Sequence, residues 1–367
     1  MSFLQHFENL EDPRTHINKK HELLDILFLT VAAVLSGAEG WKGIKEFGDI
    51  KLEWLRKFRP FTHGIPVDDT IARVMGALEP EPFIRCFISW VNEIRGDKGN
   101  DQIAIDGKTL RRSFEGDRKS ALHMITAWSK EHGLVLTQSR SAGKKNENQS
   151  VLEMLELLEI KGSLISVDAM NTQKKIATKI KAKGADYILC VKANHKTLLN
   201  EIEAYFHKMK RDEPQLIRDV TMEEHDHGHG RIEVRRYTQL PITQWISEAS
   251  HWKGAITIVE VERERHIKDK LQTETQYYIS SLQPDVAAVA DAIRSHWEVE
   301  NKVHWVLDVT YREDDSRIRR EHAAENMASL RRFVMNLARI HPRKNSMKGK
   351  LQQAGWDDSF REELLFG

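Results

Sequence analysis

Two apolar, β-branched runs, each closed by an aspartate, constrain this chain more than any other feature. Gln102-Ile103-Ala104-Ile105 leads into Asp106-Gly107, and Leu164-Ile165-Ser166-Val167 leads into Asp168-Ala169. Runs this short, rich in Ile and Val, read as buried strands. The acid before a small residue then predicts a carboxylate at the C-terminal end of each strand. Further strands are expected at 122–128, 134–138 and 187–192, with a lysine-rich helix carrying Ile176 and Ile180 before the last of them. Strands alternating with helices predict an α/β sheet with parallel pairs. In such sheets, sites gather outside the carboxyl ends of the strands.

The flanks read differently. Residues 1–95 are predicted to form a helical N-terminal domain: Leu23, Leu24, Ile26, Leu27, Val31, Val34 and Leu35 recur at helical spacing. Gly37 and Gly40 stop that helix, and Trp41, Ile44 and Phe47 begin another. Asp68 or Asp69 is the expected N-cap of a helix carrying Ile71, Val74 and Leu78. Residues 96–340 read as the α/β domain, interrupted at about 205–282 by a β-rich insertion with strands at 234–237, 255–261 and 275–279. One long helix is expected over 285–309, and 341–367 reads as a basic C-terminal tail.

That long helix supplies a third acid. On a 3.6-residue period, Val286, Val289, Ile293, Trp297, Glu300, His304 and Leu307 share one face. Glu300 is thus expected to look inward, while Asp291, Arg294, Glu298 and Lys302 form an exposed ladder. A buried carboxylate needs a partner. Two partners fit, a metal ion shared with Asp106 and Asp168 or an internal salt bridge. For the aspartates taken singly, capping a turn is the competing role. Trp297 is expected in the core, as are Trp41, Trp54, Trp90 and Trp128. His225, His227 and His229 alternate as a strand would place them on one side, yet Gly228 and Gly230 predict a turn, which disfavours a metal site there.

Composition excludes several classes. Cys86 and Cys190 belong to no CxxC pair, so neither a disulfide framework nor a cysteine zinc site is expected, and a cytoplasmic setting fits. No apolar stretch approaches the roughly 20 residues of a membrane span, and acids near the start leave no export signal visible. Lys+Arg and Asp+Glu number 56 and 55, a formal net charge of +1. The balance is uneven: residues 317–350 hold ten Lys/Arg against two Glu, a local charge of +8, and the remainder sums to −7. A uniformly basic protein is excluded, but a basic strip along which phosphates could pass is not.

Several segments, in order, resemble the H-repeat-associated, Rhs-linked transposases of the DDE type. Ile105-Asp106-Gly107-Lys108-Thr109-Leu110-Arg111-Arg112-Ser113 is similar to the family's first-Asp motif, and Val167-Asp168-Ala169-Met170 with Gln173 to its second. Gly184-Ala185-Asp186-Tyr187 with Val191-Lys192-Ala193-Asn194 resembles the next strand and loop, and His229-Gly230-Arg231 with Glu233 and Arg235 the HGRxExR segment. Ile293-Arg294-Ser295-His296-Trp297 through Glu300-Asn301-Lys302 to Asp308-Val309 resembles the third-acid helix.

The resemblance implies an RNase H-like core with catalytic, metal-binding acids Asp106, Asp168 and Glu300 holding two Mg²⁺ ions, for which Mn²⁺ could substitute. It also implies cleavage of double-stranded DNA at element ends, strand transfer by the freed 3′-hydroxyl, and a homodimer on DNA. The DNA-binding candidates are Lys108, Arg111, Arg112, Lys192, Asn194, Arg231, Arg235, His296, Asn301, Arg317, Arg319 and Arg320. Relatives often carry Tyr, Arg and Lys around the third acid where this chain has Ile293, His296 and Leu307. Asn171-Thr172 stands where they commonly carry Gly-Cys. A nuclease without joining activity and a silent DNA-binding derivative are the alternative readings of the same residues.

Overall fold

The computed structural model describes residues 3–15, 19–96, 100–113, 121–141, 147–228, 231–267 and 270–367. Its N-terminal part is helical: α1 (Leu4–Phe7), α2 (Leu23–Leu35), α3 (Trp41–Leu55), α4 (Asp68–Ala77) and α5 (Pro80–Arg95). Helix α2 is apolar nearly all round and buried along almost its whole length, as a helix enclosed by others must be. It ends where Gly37 takes a φ of +93°, a conformation that suits glycine. Helix α4 starts at Asp68 with Val67 at the cap position. Asp68 and Asp69 therefore sit in the first turn, facing the positive end of the helix dipole rather than capping it.

The sheet follows with β1 (Gln102–Leu110), β2 (Leu122–Ser129), β3 (Leu134–Ser141), α6 (Glu147–Leu157), β4 (Leu164–Val167), α7 (Lys174–Ala182) and β5 (Asp186–Val191). Strands β1, β4 and β5 are parallel, and β2 and β3 extend the sheet antiparallel beyond β1. Three antiparallel strands followed by parallel crossovers are the RNase H-like arrangement.

The expected insertion opens with helices α8 (Lys196–Asp212) and α9 (Pro214–Asp219) and continues as four strands, β6 (Thr221–Gly228), β7 (Arg231–Pro241), β8 (Thr257–Ile267) and β9 (Lys270–Ser280). It is not a separate layer. Strand β9 pairs antiparallel with β5, so all nine strands form one sheet in the order β3-β2-β1-β4-β5-β9-β8-β7-β6. Strand β6 escapes the sequence pattern because Thr-Met-Glu-Glu-His-Asp-His-Gly contains no apolar alternation; its outer part lies in an exposed hairpin.

The single helix expected over 285–309 is interrupted. Helix α10 (Val286–His296) is capped by Asp285, whose carboxylate accepts from the Ala288 amide at 3.0 Å. A π-helical turn (Val299–His304) and α11 (Trp305–Val309) then follow. The chain closes with α12 (Ala323–Ile340), α13 (Met347–Trp356) and α14 (Asp358–Phe366). Residues 341–367 thus form helices docked on the N-terminal domain, where the Phe366 ring lies 4.7 Å from that of Phe58.

The basic run is partly internal as well. Arg332 is fully buried and donates to Glu313 at 2.9 Å, with Arg331 3.8 Å from the same carboxylate; Lys350 is buried against the Ala338 and His341 carbonyls. These cations hold the fold together and are not part of an outer basic strip. Cys86 and Cys190 are both free thiols. No helix among the described residues is long and apolar enough to cross a membrane.

Candidate active site

Asp106 and Asp168 come together because β1 and β4 are parallel neighbours. Their last register pair is Ile105 with Val167, so both acids stand one residue beyond it. Asp168 lies past the end of its strand as expected. Asp106 does not: β1 continues to Leu110 because its other edge stays paired with β2. Both line a cavity of about 390 Å³ with Lys192, His296, Trp297 and Glu300. Burial pushes the Asp106 carboxyl up to about 6, against the pull of His304 and with a smaller push from Asp168. Burial raises Asp168 as well, opposed by hydrogen bonds from Asn171. Two carboxyls that resist ionising in a shared cavity are a setting in which a cation would be held.

Glu300 reaches the same place by a route the periodicity did not predict. The helix pauses at Trp297 and the π turn shifts its phase, so the buried series runs Val289, Ile293, Val299, Val303 and Leu307. Trp297, 52 % exposed, leaves the expected core stripe, and Trp305 beyond it is exposed too. Glu300 is exposed rather than enclosed, so burial is not what marks it. Its carboxylate instead meets His304 Nδ1 at 3.0 Å, and that nitrogen lies 3.4 Å from Asp106. The hydrogen bond from His304 holds the Glu300 carboxyl below its usual range. Asp106, Glu300 and His304 each offer a ligand atom within 4.8 Å of the others. Ligands about 2.0–2.2 Å from one ion span nearly that distance, so the donor set fits a divalent cation. π turns are frequent at functional sites for this reason: one extra residue re-aims the side chains that follow.

Behind Asp168 lies a buried polar chain that sequence reasoning missed. Asn171 donates from its backbone amide (3.0 Å) and its Nδ2 (2.8 Å) to one Asp168 oxygen. The same Nδ2 donates to Glu147 at 3.1 Å, Glu147 lies 2.8 Å from His123, and His123 bonds Thr109 at 2.9 Å. The one available signal was the departure at Asn171. Glu147 and His123 lay in segments without a motif.

The expected DNA contacts divide. Lys108 is buried in ion pairs with Asp308 (2.7 Å) and Asp314 (2.9 Å), so its charge is already matched by acids of the chain. Arg111 and Arg112 remain exposed, each beside one acid, Asp314 and Asp315. Lys192 is exposed at the cavity, and Asn194 ties the loop after β5 to that after β4 by donating to the Ala169 carbonyl at 2.8 Å. His296 bonds Ser166 at 2.9 Å, and burial pushes its imidazole down to about 4, so it carries no charge at neutral pH. His229 and Gly230 lie outside the described residues. Of Arg231, only its place in β7 is described.

The exposed ladder on α10 is largely something else. Only Glu298 and Lys302 pair along it, at 2.8 Å. Asp291 reaches Lys130 and Arg294 reaches Asp226 and Glu224, clamping the helix to the β2–β3 turn and to β6.

Two further grooves carry arginines, and one of them adjoins the site. One, of about 510 Å³, shares Ile293, Trp297, Glu300 and Gln276 with the acid cavity and is also lined by Asn301, Arg235, Arg263 and Arg265. Those three arginines surround the buried Glu233 at 2.5, 3.7 and 3.4 Å, and Arg263 also pairs with Glu274 at 2.6 Å, so the cations share the groove with acids. Arg263 and Arg265 were legible in principle, since alternation along a strand puts both on one face. The other groove, about 640 Å³, runs between Trp41 and the segment carrying Arg312, Arg317, Arg319 and Arg320.

The sequence profile described as "Transposase DDE domain" matches residues 97–337, and that of "DDE_Tnp_1-associated" matches residues 4–91. The chain belongs to the DDE transposase family. It is 40% identical over 375 residues to "Putative transposase YncI" of Escherichia coli O157:H7, covering 99% of this chain and 94% of that protein. It is 38% identical over 371 residues to "H repeat-associated putative transposase YhhI" of Escherichia coli strain K12, covering 99% and 97%. Among solved structures, a piggyBac transposase synaptic complex with hairpin DNA matches with a TM-score of 0.41 at 10% identity, over 99% of this chain and 77% of that one. This transposase is therefore an enzyme that acts on DNA, and the acids described above lie within the segment matched by the DDE profile.

Proposed function

We propose that this transposase cuts both ends of an insertion sequence and joins them to target DNA, using Asp106, Asp168 and Glu300 to hold two divalent cations, Mg²⁺ or in its place Mn²⁺. The observation that carries this reading is the meeting of all three acids at one cavity that opens onto an arginine-lined groove. Cations bound there would activate the attacking oxygen and stabilise the leaving one. The chain's own residues do the rest. Asn171 orients Asp168, His304 orients Asp106 and Glu300, and the Lys108–Asp308–Asp314 cluster braces the floor beneath them.

Arg235, Arg263 and Arg265 supply the cations that accept a DNA backbone beside the acids, and exposed Trp297 stands at the junction. Arg111, Arg112, Lys192, Arg317, Arg319 and Arg320 extend the same path, with a dimer bringing two ends together. Such chemistry on chromosomal DNA fits a cytoplasmic setting.

The test is Mg²⁺-dependent cleavage and joining of the cognate terminal repeats. Alanine at Asp106, Asp168 or Glu300 is expected to abolish both steps, and full activity in any one variant removes that residue from the site. Cleavage without joining by the wild type would identify a nuclease instead.

A further inference from the structure

We infer that His304 is itself a metal ligand, binding through Nδ1 to the same ion as Asp106 and Glu300, so that the site is a mixed nitrogen–oxygen set. The inference rests on the metal-dependent reading above. Three observations support it. First, the histidine is the geometric centre of the cluster: its Nδ1 lies 3.0 Å from Glu300 Oε2 and 3.4 Å from Asp106 Oδ2, whereas Asp168 is not part of that close group.

Second, Asn171 holds Asp168 through one oxygen alone, so Asp168 stays available as a ligand and His304 adds a donor beside Asp106 and Glu300. Third, the imidazole is enclosed: His304 is buried, its Nε2 has no hydrogen-bond partner among the described residues, and its Nδ1 meets only the two carboxylates, donating to Glu300 at the place a bound cation would take. In His296, which lines the acid cavity, Nδ1 is bonded to Ser166.

The donor set has a consequence for metal choice. Mg²⁺ favours an all-oxygen shell and keeps much of its water. A first-row transition ion accepts imidazole more readily. The site should therefore take such an ion more tightly than Mg²⁺, and the margin should depend on His304.

The experiment is pulsed electron paramagnetic resonance of the full-length protein loaded with Mn²⁺, without DNA. With natural-abundance histidine, a directly bound nitrogen modulates the echo, and ¹⁵N-labelled histidine changes that modulation. The expected result is one coupled nitrogen in the wild type. His296→Asn retains it. His304→Gln loses it, weakens Mn²⁺ tenfold or more and weakens Mg²⁺ much less. Should the glutamine variant fail to fold, the wild type and His296→Asn decide the matter alone. Mn²⁺ bound with no nitrogen coupling, or coupling lost in His296→Asn, overturns the assignment while leaving the acid site intact. Failure of Mn²⁺ to bind overturns both.

Discussion

Replacing Asp106 with Asn should make the metal-free protein more stable at neutral pH. Burial lifts the Asp106 carboxyl from 3.8 to about 6. The folded state thus holds that proton more tightly than the unfolded chain does. Stability from this group is intact below the unfolded value, declines as pH rises through the window from about 4 to about 6, and stays low above it. A shift of roughly two pH units corresponds to about 3 kcal/mol. Asparagine keeps the shape without the charge and should recover most of that amount at pH 7.5.

The assay is urea unfolding in excess EDTA at pH 7.5 and again near pH 4.5, with near-ultraviolet signal as the readout. The variant's midpoint should exceed that of the wild type at pH 7.5, and the gap should narrow to about 1 kcal/mol at the acid end. Divalent cation added at pH 7.5 should raise the wild type more than the variant. An Asn variant no more stable than wild type at pH 7.5, or a gap that does not change with pH, would refute the view that these carboxyls are held in electrostatic stress relieved by a cation.

Other outcomes follow from the same geometry. Asn171→Ala leaves Asp168 with one hydrogen bond in place of two and Glu147 without an amide donor. It should cost about 1–3 kcal/mol and slow single-turnover cleavage with little change in DNA affinity. Glu313→Gln strands buried Arg332 and Arg331 without a counter-charge; a loss of about 3–5 kcal/mol is expected by chemical denaturation. Arg263→Ala and Arg265→Ala each take one cation from buried Glu233, leaving Arg235 to hold it, and should cost about 1–3 kcal/mol while weakening DNA binding. Each should also reduce the slope of log affinity against log salt by about 1 in filter-binding or anisotropy titrations.

Much of the sheet was readable because strands and helices have different hydrophobic periods. Ile103–Ile105, Ile165–Val167 and Tyr187–Val191 declared themselves as buried strands, and two acids were placed by that alone. Glu300 was singled out for a reason that did not hold. Sequence periodicity assumes an unbroken helix, and the π turn after Trp297 is a local change of hydrogen bonding that apolar spacing does not encode. The same slip sent Trp297 outward. Strand β6 was invisible because both of its faces are polar, one exposed and the other meeting Arg294 of α10 through Glu224 and Asp226. Charge counting overstated the basic strip because a sum over residues does not distinguish Arg332, buried on Glu313, from exposed Arg317. Asn171 was noticed only as a departure; its hydrogen bonds to Asp168 depend on a turn after β4 that spacing cannot predict.

The pairing of β9 with β5 bears on how such proteins can diverge. An inserted module attached only at its ends can be lost or exchanged whole. Here the last strand of the ribbon also covers the edge of β5 and leads, through Asp285, straight into the helix that carries Glu300. Excising the ribbon would bare a sheet edge and unseat the third acid in one event. The outer pairs of the ribbon, far from β5, can lengthen or shorten in cross-strand pairs without disturbing the inner register.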